Sequence, residues 1–324
     1  MTTTVYGNIQ PQDDYLHPLG PEPNFNESMY FNFFDQAQGL GGFLRIGNRA
    51  NEGYAEVTCC LFRADGSVLF NYQRPKIDNN DAMDAGGMRF EVLEPLRRHR
   101  TTYDGTAVFL AKPTQMTDPA TAFRQNPHKR VRIDLVHEAV GPAYGRAGSS
   151  ESSGDHEREF ARAHYEQHMR VSGTLAIDDE TFELDATGLR DHSWGPRYWQ
   201  AIHSYRWLTC TFGPDFGIMV SVISPQPGTE TQSGVVVRGE QLEPIRRVEL
   251  DSQFTPGTPF HTGMVARLGL ESGEELVLEG AVKSFIPLRN RRAGMVTHIG
   301  EGMTEYRCAG RTAFGISEYL DQVQ

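Results

Sequence analysis

Short runs in which apolar and polar residues alternate, each cut off by turn-forming residues, limit what this chain can fold into. Alternation recurs at residues 54–62, 107–111, 131–136, 171–177, 181–185, 205–212, 218–223 and 275–279. Side chains two positions apart lie on one face of a strand, so each run buries one side and wets the other. Ala64-Asp-Gly-Ser67, Tyr103-Asp-Gly105, Ile177-Asp-Asp-Glu180 and Glu271-Ser-Gly-Glu274 read as hairpin connections between such runs. Gly 33 and Pro 18 are spread as punctuation rather than gathered in one linker. A long series of antiparallel meanders must close into barrels or stack as sandwiches, because open edges pair with other chains. The expected fold class is all-β, in two tandem antiparallel β-barrel domains.

Composition narrows the function. The 324 residues leave room for about two domains of roughly 150 residues each. With 38% hydrophobic and 10% aromatic residues the chain is a folded protein, not a disordered one. Lys+Arg 31 against Asp+Glu 42 gives a net charge of −11, and the longest basic run is Arg97-Arg98-His99-Arg100. Nucleic-acid and acidic-membrane partners are disfavoured. The N-terminus shows no secretory or mitochondrial leader, and no apolar stretch reaches transmembrane length. Cys59 and Cys60 are adjacent while Cys210 and Cys308 stand alone, which is neither a disulfide framework nor a CxxC pair. A cytoplasmic location is expected, with a homodimer left open.

Residues 1–28 read as an N-terminal extension and residues 29–140 as a first β domain. The small, polar residues of 141–160 read as a linker or loop, and 161–324 as a second β domain. The segment from His156 to His168 fits a short helix or coil first and a strand from about Tyr165.

The densest chemistry lies between Gly188 and Trp207. All three tryptophans, Trp194, Trp199 and Trp207, fall there with Arg190, Asp191, His192, Arg197, His203 and Tyr205. A carboxyl in a dry pocket has its pKa raised and can serve as a general acid. Indole and phenol faces stabilise an adjacent cation by roughly 0.5–2 kcal/mol each. Asp191 and His192 are the expected catalytic pair. Trp194, Trp199, Tyr205, Trp207 and Gln167 are the expected substrate-binding residues, and Arg190 and Arg197 the electrostatic support. Gln167, polar among Tyr165, Met169 and Val171 on one strand face, is expected to orient a pocket water or the Asp191 carboxyl.

The stretch Gly188-Leu-Arg-Asp-His-Ser-Trp-Gly-Pro-Arg197 resembles the signature of a lipocalin-like superfamily. That superfamily contains AttH-type proteins, carotenoid 1,2-hydratase (hydroxyneurosporene synthase) and lipocalin-like Diels-Alderases. Residues 29–35 look like the opening strand of its first barrel, 165–175 like the strand entering the second, and 310–320 like the closing strand. The resemblance implies two calycin-like barrels with a pocket for a hydrophobic molecule. In the hydratase branch a His and a Trp of this motif serve the site, which carries over to His192 and Trp194. That branch's downstream Tyr-x-Asp has no equivalent here, Asp215 being offset, so Asp191 becomes the expected proton source.

Other patterns are weaker. His164 and His168 share a spacing of four, but Tyr165 stands where a zinc-binding HExxH motif has its glutamate. Residues 78–84 lack the Gly and Glu of a calcium loop, and 90–100 read as one edge strand. Glu301 and Glu305 alternate along a strand, so that one of them points inward as a second carboxylate. No nucleotide-binding or serine-hydrolase motif is present. The expectation is therefore a cofactor-independent, metal-free enzyme of lyase (hydratase or dehydratase) or isomerase/cyclase type. It would act by proton transfer on a terpenoid- or polyketide-like molecule, the alternative being a non-catalytic carrier or sensor.

Overall fold

The computed structural model describes residues 4–147, 162–292 and 294–323. Nearly every element is a strand, and the two predicted barrels are present. The first is a ring of eight strands: β2 (Phe25–Asp35), β3 (Leu40–Arg49), β4 (Tyr54–Arg63), β5 (Val68–Gln73), β8 (Arg98–Leu110), β9 (His128–Ala139), β11 (Ala163–Ile177) and β12 (Glu180–Pro196). Neighbours pair in the order β11, β12, β2, β3, β4, β5, β8, and β9 closes the ring by pairing with both β8 and β11. Two short strands extend it beside β11, β1 (Val5–Gly7) and β10 (Ala143–Arg146), and two more beside β8, β6 (Asp84–Ala85) and β7 (Met88–Glu94). The helix α1 (Pro119–Gln125) bridges β8 and β9, with the Asp118 side chain accepting from the Thr121 backbone N–H at its start.

The second barrel runs in plain sequence order: β13 (Ser204–Gly213), β14 (Phe216–Gln226), β15 (Thr229–Arg238), β16 (Gln241–Phe254), β17 (His261–Leu270), β18 (Glu275–Arg292), β19 (Met295–Cys308) and β20 (Arg311–Val323). The pairing of β13 with β20 closes it, so residues 310–320 belong to the closing strand as the resemblance implied.

Several boundaries differ from the sequence reading. Residues 163–196 were expected to open the second barrel; instead they form β11 and β12, which pair with β9 and β2 and complete the first. The signature motif therefore lies on a first-barrel strand. Part of the expected linker forms β10, while residues 148–161, with the proposed helix from His156, lie outside the described residues. The extension 1–28 contributes β1 and the start of β2, and it buries Asp14 completely. Tyr103-Asp-Gly105 is not a turn but lies within β8, because its alternation continues on both sides. Residues 90–100 hold the turn between β7 and β8, with Leu96 at φ 59°. The Ala64–Ser67 turn forms as expected, with Gly66 at φ 87° and Asp65 accepting from Ser67.

Strand alternation gives each barrel its own core. Met29, Phe31 and Phe33 point into the first with Leu44, Val57, Ile133 and Val171. Tyr30 and Phe34, on the opposite face of β2, join Phe43, Phe62 and Phe70 against Ile286, Met303, Phe314 and Ile316 of the second barrel. This apolar layer holds the two barrels together. Polar ties reinforce it: Thr187 donates to the Thr211 carbonyl at 2.8 Å, and Thr211 donates to the Gly188 carbonyl at 2.6 Å. All four cysteines are buried and free. No helix among the described residues is long and apolar enough to cross a membrane.

Candidate active site between the barrels

Asp191 and His192 are adjacent on β12 and therefore lie on opposite faces of the sheet. The expected catalytic pair is split between two clusters.

On the His192 side, Arg190 is buried inside the first barrel. It donates to Asp14 Oδ1 at 2.6 Å, to the Tyr165 hydroxyl at 3.1 Å and to Gln167 Oε1 at 3.0 Å. Gln167 donates to the Leu96 and Gly141 carbonyls, so it serves this network and does not reach Asp191. Burial opposes the Asp14 charge, but Arg190 and His99 outweigh it and hold the carboxyl well below its ordinary range. His192 bonds Glu27 Oε1 at 3.0 Å, and Trp194 stacks on His17 with ring centroids 3.8 Å apart. Trp194 is thus separated from Trp199 and Trp207.

On the Asp191 side, register sets side chains in a row across five strands. Arg45 on β3 pairs with Tyr30 on β2, Tyr30 with Asp191, Asp191 with Glu166 on β11, and Glu166 with Tyr144 on β10. The second barrel supplies a facing row: Trp207 on β13 pairs with Glu318 on β20, and Glu318 with Glu301 on β19. The rows meet where Trp207 Nε1 donates to Glu166 Oε1 at 2.9 Å and where the Trp207 ring stands edge-on to Tyr30, 5.5 Å between centroids. Apolar walls surround this point, since Trp207 also packs against Tyr144 and Met219 and against Ile202, Tyr205 and Leu320. Trp199 joins the last group, with the Arg197 guanidinium 5.0 Å from its ring centroid. Trp199, Tyr205, Trp207 and Arg197 are therefore brought together, but around Asp191 and not around His192.

The electrostatics of this cluster are far from those of free side chains. Burial pushes the Glu166 carboxyl up to about 7, against the opposing pull of His164 and Trp207. Burial raises Glu301 to about 8, and Glu318 to about 7 despite Arg197. Asp191 goes the other way: burial would raise it, but a short hydrogen bond and the charge of His164 hold it below its usual value. His164 rises in turn to about 9, burial opposing and Asp191 prevailing. Burial beside Arg45 brings Arg197 down to about 10. Among the described residues, Glu166 Oε2 and Glu301 Oε2 are buried without a hydrogen-bond partner. Such groups are rare in folded proteins and mark places where a ligand, water or reacting atom belongs. The Asp191 side chain remains 16% exposed and His164 39%, so the cluster reaches solvent on that side.

One of Glu301 and Glu305 was expected to point inward; both instead lie on the outer face of β19, Glu301 buried in the layer between the barrels and Glu305 nearer the surface beside Lys283 and Arg307. Sequence reasoning missed Glu166, Glu318, Tyr30 and Tyr144. The signal for Glu166 was available, since a strand that turns Tyr165 and Gln167 to one face turns Glu166 to the other. His164 and His168 share no metal: His168 bonds Thr211 at 2.7 Å, and on a strand a spacing of four separates the two.

Two eight-stranded antiparallel barrels in tandem, joined by an aromatic and carboxylate-rich layer, define the class as lipocalin-like all-β. The chain belongs to the family described as a domain of unknown function (DUF7064), which matches residues 10–323. Solved structures share the fold. A putative AttH from Nitrosomonas europaea aligns with a TM-score of 0.65 at 13% identity, over 99% of this chain and 98% of that one. Kievitone hydratase from Nectria haematococca gives 0.55 at 9%, over 98% and 96%. CghA gives 0.54 at 12%, over 93% and 88%, and has also been solved with Sch210972. At these identities the likeness is one of fold. No curated protein matches.

Proposed function

We propose that the protein is an enzyme that transforms a hydrophobic small molecule by proton transfer in the layer between its barrels. The observation that carries this reading is the separation of Glu166 and Asp191. They are cross-strand neighbours on one face, one carboxyl pushed up to about 7 and the other held down by His164. Two carboxyls driven apart by their surroundings divide into an acid and a base. Glu166 is the acid, its unpartnered Oε2 carrying the proton; Asp191 is the base, the reverse of the role its sequence context suggested. In an addition of water, Glu166 Oε2 protonates a carbon–carbon double bond and the faces of Trp207 and Tyr30 shield the carbocation. Water then attacks, and Asp191 takes the proton it sheds. His164 lies 3.6 Å from Glu166 Oε1 and bonded to Asp191, so it can pass a proton from base back to acid and close the cycle. Dehydration and double-bond isomerisation use the same two groups.

The fold neighbours support a small-molecule substrate, since one is a hydratase and another was solved with Sch210972. Apolar burial would supply most of the affinity, at roughly 25 cal/mol per Å² before ordering costs. The test is mass spectrometry of whatever co-purifies with the protein, followed by turnover of that molecule. Glu166→Gln should lower the rate by about 10²–10⁴ while retaining binding. Unchanged turnover in Glu166→Gln removes the acid assignment, and binding without turnover in the native protein makes it a carrier.

A further inference from the structure

A second cluster, on the other face of β12, is left unused by this chemistry. We infer that His17 Nδ1, Glu27 Oε1 and His192 Nε2 form a binding site for one divalent transition-metal ion of the zinc type, against the sequence expectation of a metal-free protein. The three donor atoms lie within 4.8 Å of one another. Both imidazole nitrogens approach the same oxygen, at 2.7 Å and 3.0 Å.

The hydrogen bonds around the triad leave its donor atoms facing one another. Tyr165 has one hydroxyl proton, and the ionised Asp14 at 2.7 Å takes it. The Tyr165 oxygen then accepts from Arg190 and, at 3.3 Å, from His192 Nδ1. The His192 tautomer with its hydrogen on Nδ1 satisfies that contact and leaves the Nε2 lone pair facing Glu27, available to an ion. Glu27 is equally committed. Asn80 accepts from Asn48 through Oδ1, which turns its amide nitrogen to Glu27 Oε2 at 2.6 Å, and the His17 backbone N–H reaches the same oxygen at 2.9 Å. Oε1 is left between two imidazole nitrogens, a donor set that a metal ion could join.

The surroundings are those of a metal centre. Two histidines and one carboxylate suit a first-row ion, and a ligating imidazole is typically held through its other nitrogen. His192 is held so by Tyr165, with Asp13 Oδ1 3.6 Å from His17 Nε2 and Trp194 stacked on the His17 ring. Ligands about 2.1 Å from an ion stand roughly 3.4 Å apart, so the side chains need open by only about half an ångström. A cavity of about 580 Å³, lined by Asp14, Leu16, His17, Met29, Asn80 and Phe90, borders the triad at His17. An ion here would also fasten the N-terminal segment over the barrel mouth.

The full-length protein, stripped with a chelator, would be titrated with zinc chloride by calorimetry and with cobalt(II) chloride by visible absorption. One equivalent should bind, with affinity reduced about 100-fold or more in His17→Ala and in Glu27→Gln, and unchanged in His164→Ala. His17→Ala removes a partner of the buried Glu27 and should lower the urea midpoint without metal; the readout for the ion is that zinc raises the native midpoint and no longer raises that of the variant. Absence of saturable binding, equal affinity in His17→Ala, or loss in His164→Ala instead would each overturn the proposal. So would nitrogen NMR showing His192 doubly protonated and unmoved by zinc, because a proton would then hold the place given to the ion.

Discussion

The Trp207 indole N–H donates to Glu166 Oε1 at 2.9 Å, a single hydrogen bond from the second barrel that lowers the affinity of a first-barrel carboxyl for its proton. Burial still dominates and carries that carboxyl to about 7. Trp207→Phe keeps an aromatic ring but removes the donor, so the Glu166 pKa should rise further. If Glu166 is the acid, the alkaline limb of the rate–pH profile should move to higher pH. A profile that stays in place would detach Trp207 from the proton chemistry.

Arg190 and Asp14 form a fully buried ion pair, and removing one partner strands the other without water. Arg190→Met should cost about 3–5 kcal/mol of unfolding free energy, read from urea midpoints. The double variant Asp14→Leu, Arg190→Met should recover part of that loss, because neither charge is then left alone. A double variant as unstable as the single one would show that Arg190 acts mainly through Gln167 and Tyr165.

Stability should fall as pH rises from about 6.5 to 9. Glu166, Glu318, Glu301 and His164 all have folded pKa values raised above their ordinary ones, to about 7, 7, 8 and 9. The folded protein thus holds protons that the unfolded chain has released; the carboxyl contributions are full below about 4.5 and that of His164 below about 6.5, and each is lost as pH rises through its folded value, while the histidine gain described next offsets the carboxyl loss below about 6.5. On the acid side, burial depresses His137, His168 and His261 to about 3. Their contribution is present above about 6.5 and lost as pH falls towards 3. Thermal unfolding across pH checks both limbs; a melting temperature that climbs steadily to pH 9 would contradict the raised carboxyls.

Gly188 opens the signature motif because β2 leaves no space for a side chain. An added Cβ would stand 2.0 Å from the Asn32 carbonyl oxygen. Gly188→Ala should therefore force β12 away from β2, costing about 1–3 kcal/mol or more and disturbing the Leu189 N–H bond to Asn32 Oδ1. A native-like melting temperature for this variant would show that the backbone yields there without strain.

The all-β class, the hairpins at Ala64–Ser67 and Ile177–Glu180 and the closing strand near residue 320 were legible because alternation and turn chemistry are local. The site was legible only as a neighbourhood. Its two faces were written in the period of β12, which places Asp191 and His192 back to back, yet residue types suited to one reaction drew them together. What alternation cannot supply is the far partner. Glu166 reads as a solvated charge until Trp207 and Tyr144 cover it. Asp14, His17 and Glu27 read as an extension until Arg190 and His192, more than 160 positions on, fold back to meet them.

The first barrel is built from strands on both sides of the Gly- and Ser-rich stretch, with β11 and β12 supplying two of its eight staves. During synthesis its wall stays open between β2 and β9 until residue 196 has left the ribosome, and Asp14 waits that long for its guanidinium. Long-range closure of this kind slows folding, and a fragment ending in that stretch would present two raw sheet edges to any neighbouring chain. The most linker-like segment of the sequence is therefore the wrong place to divide the protein.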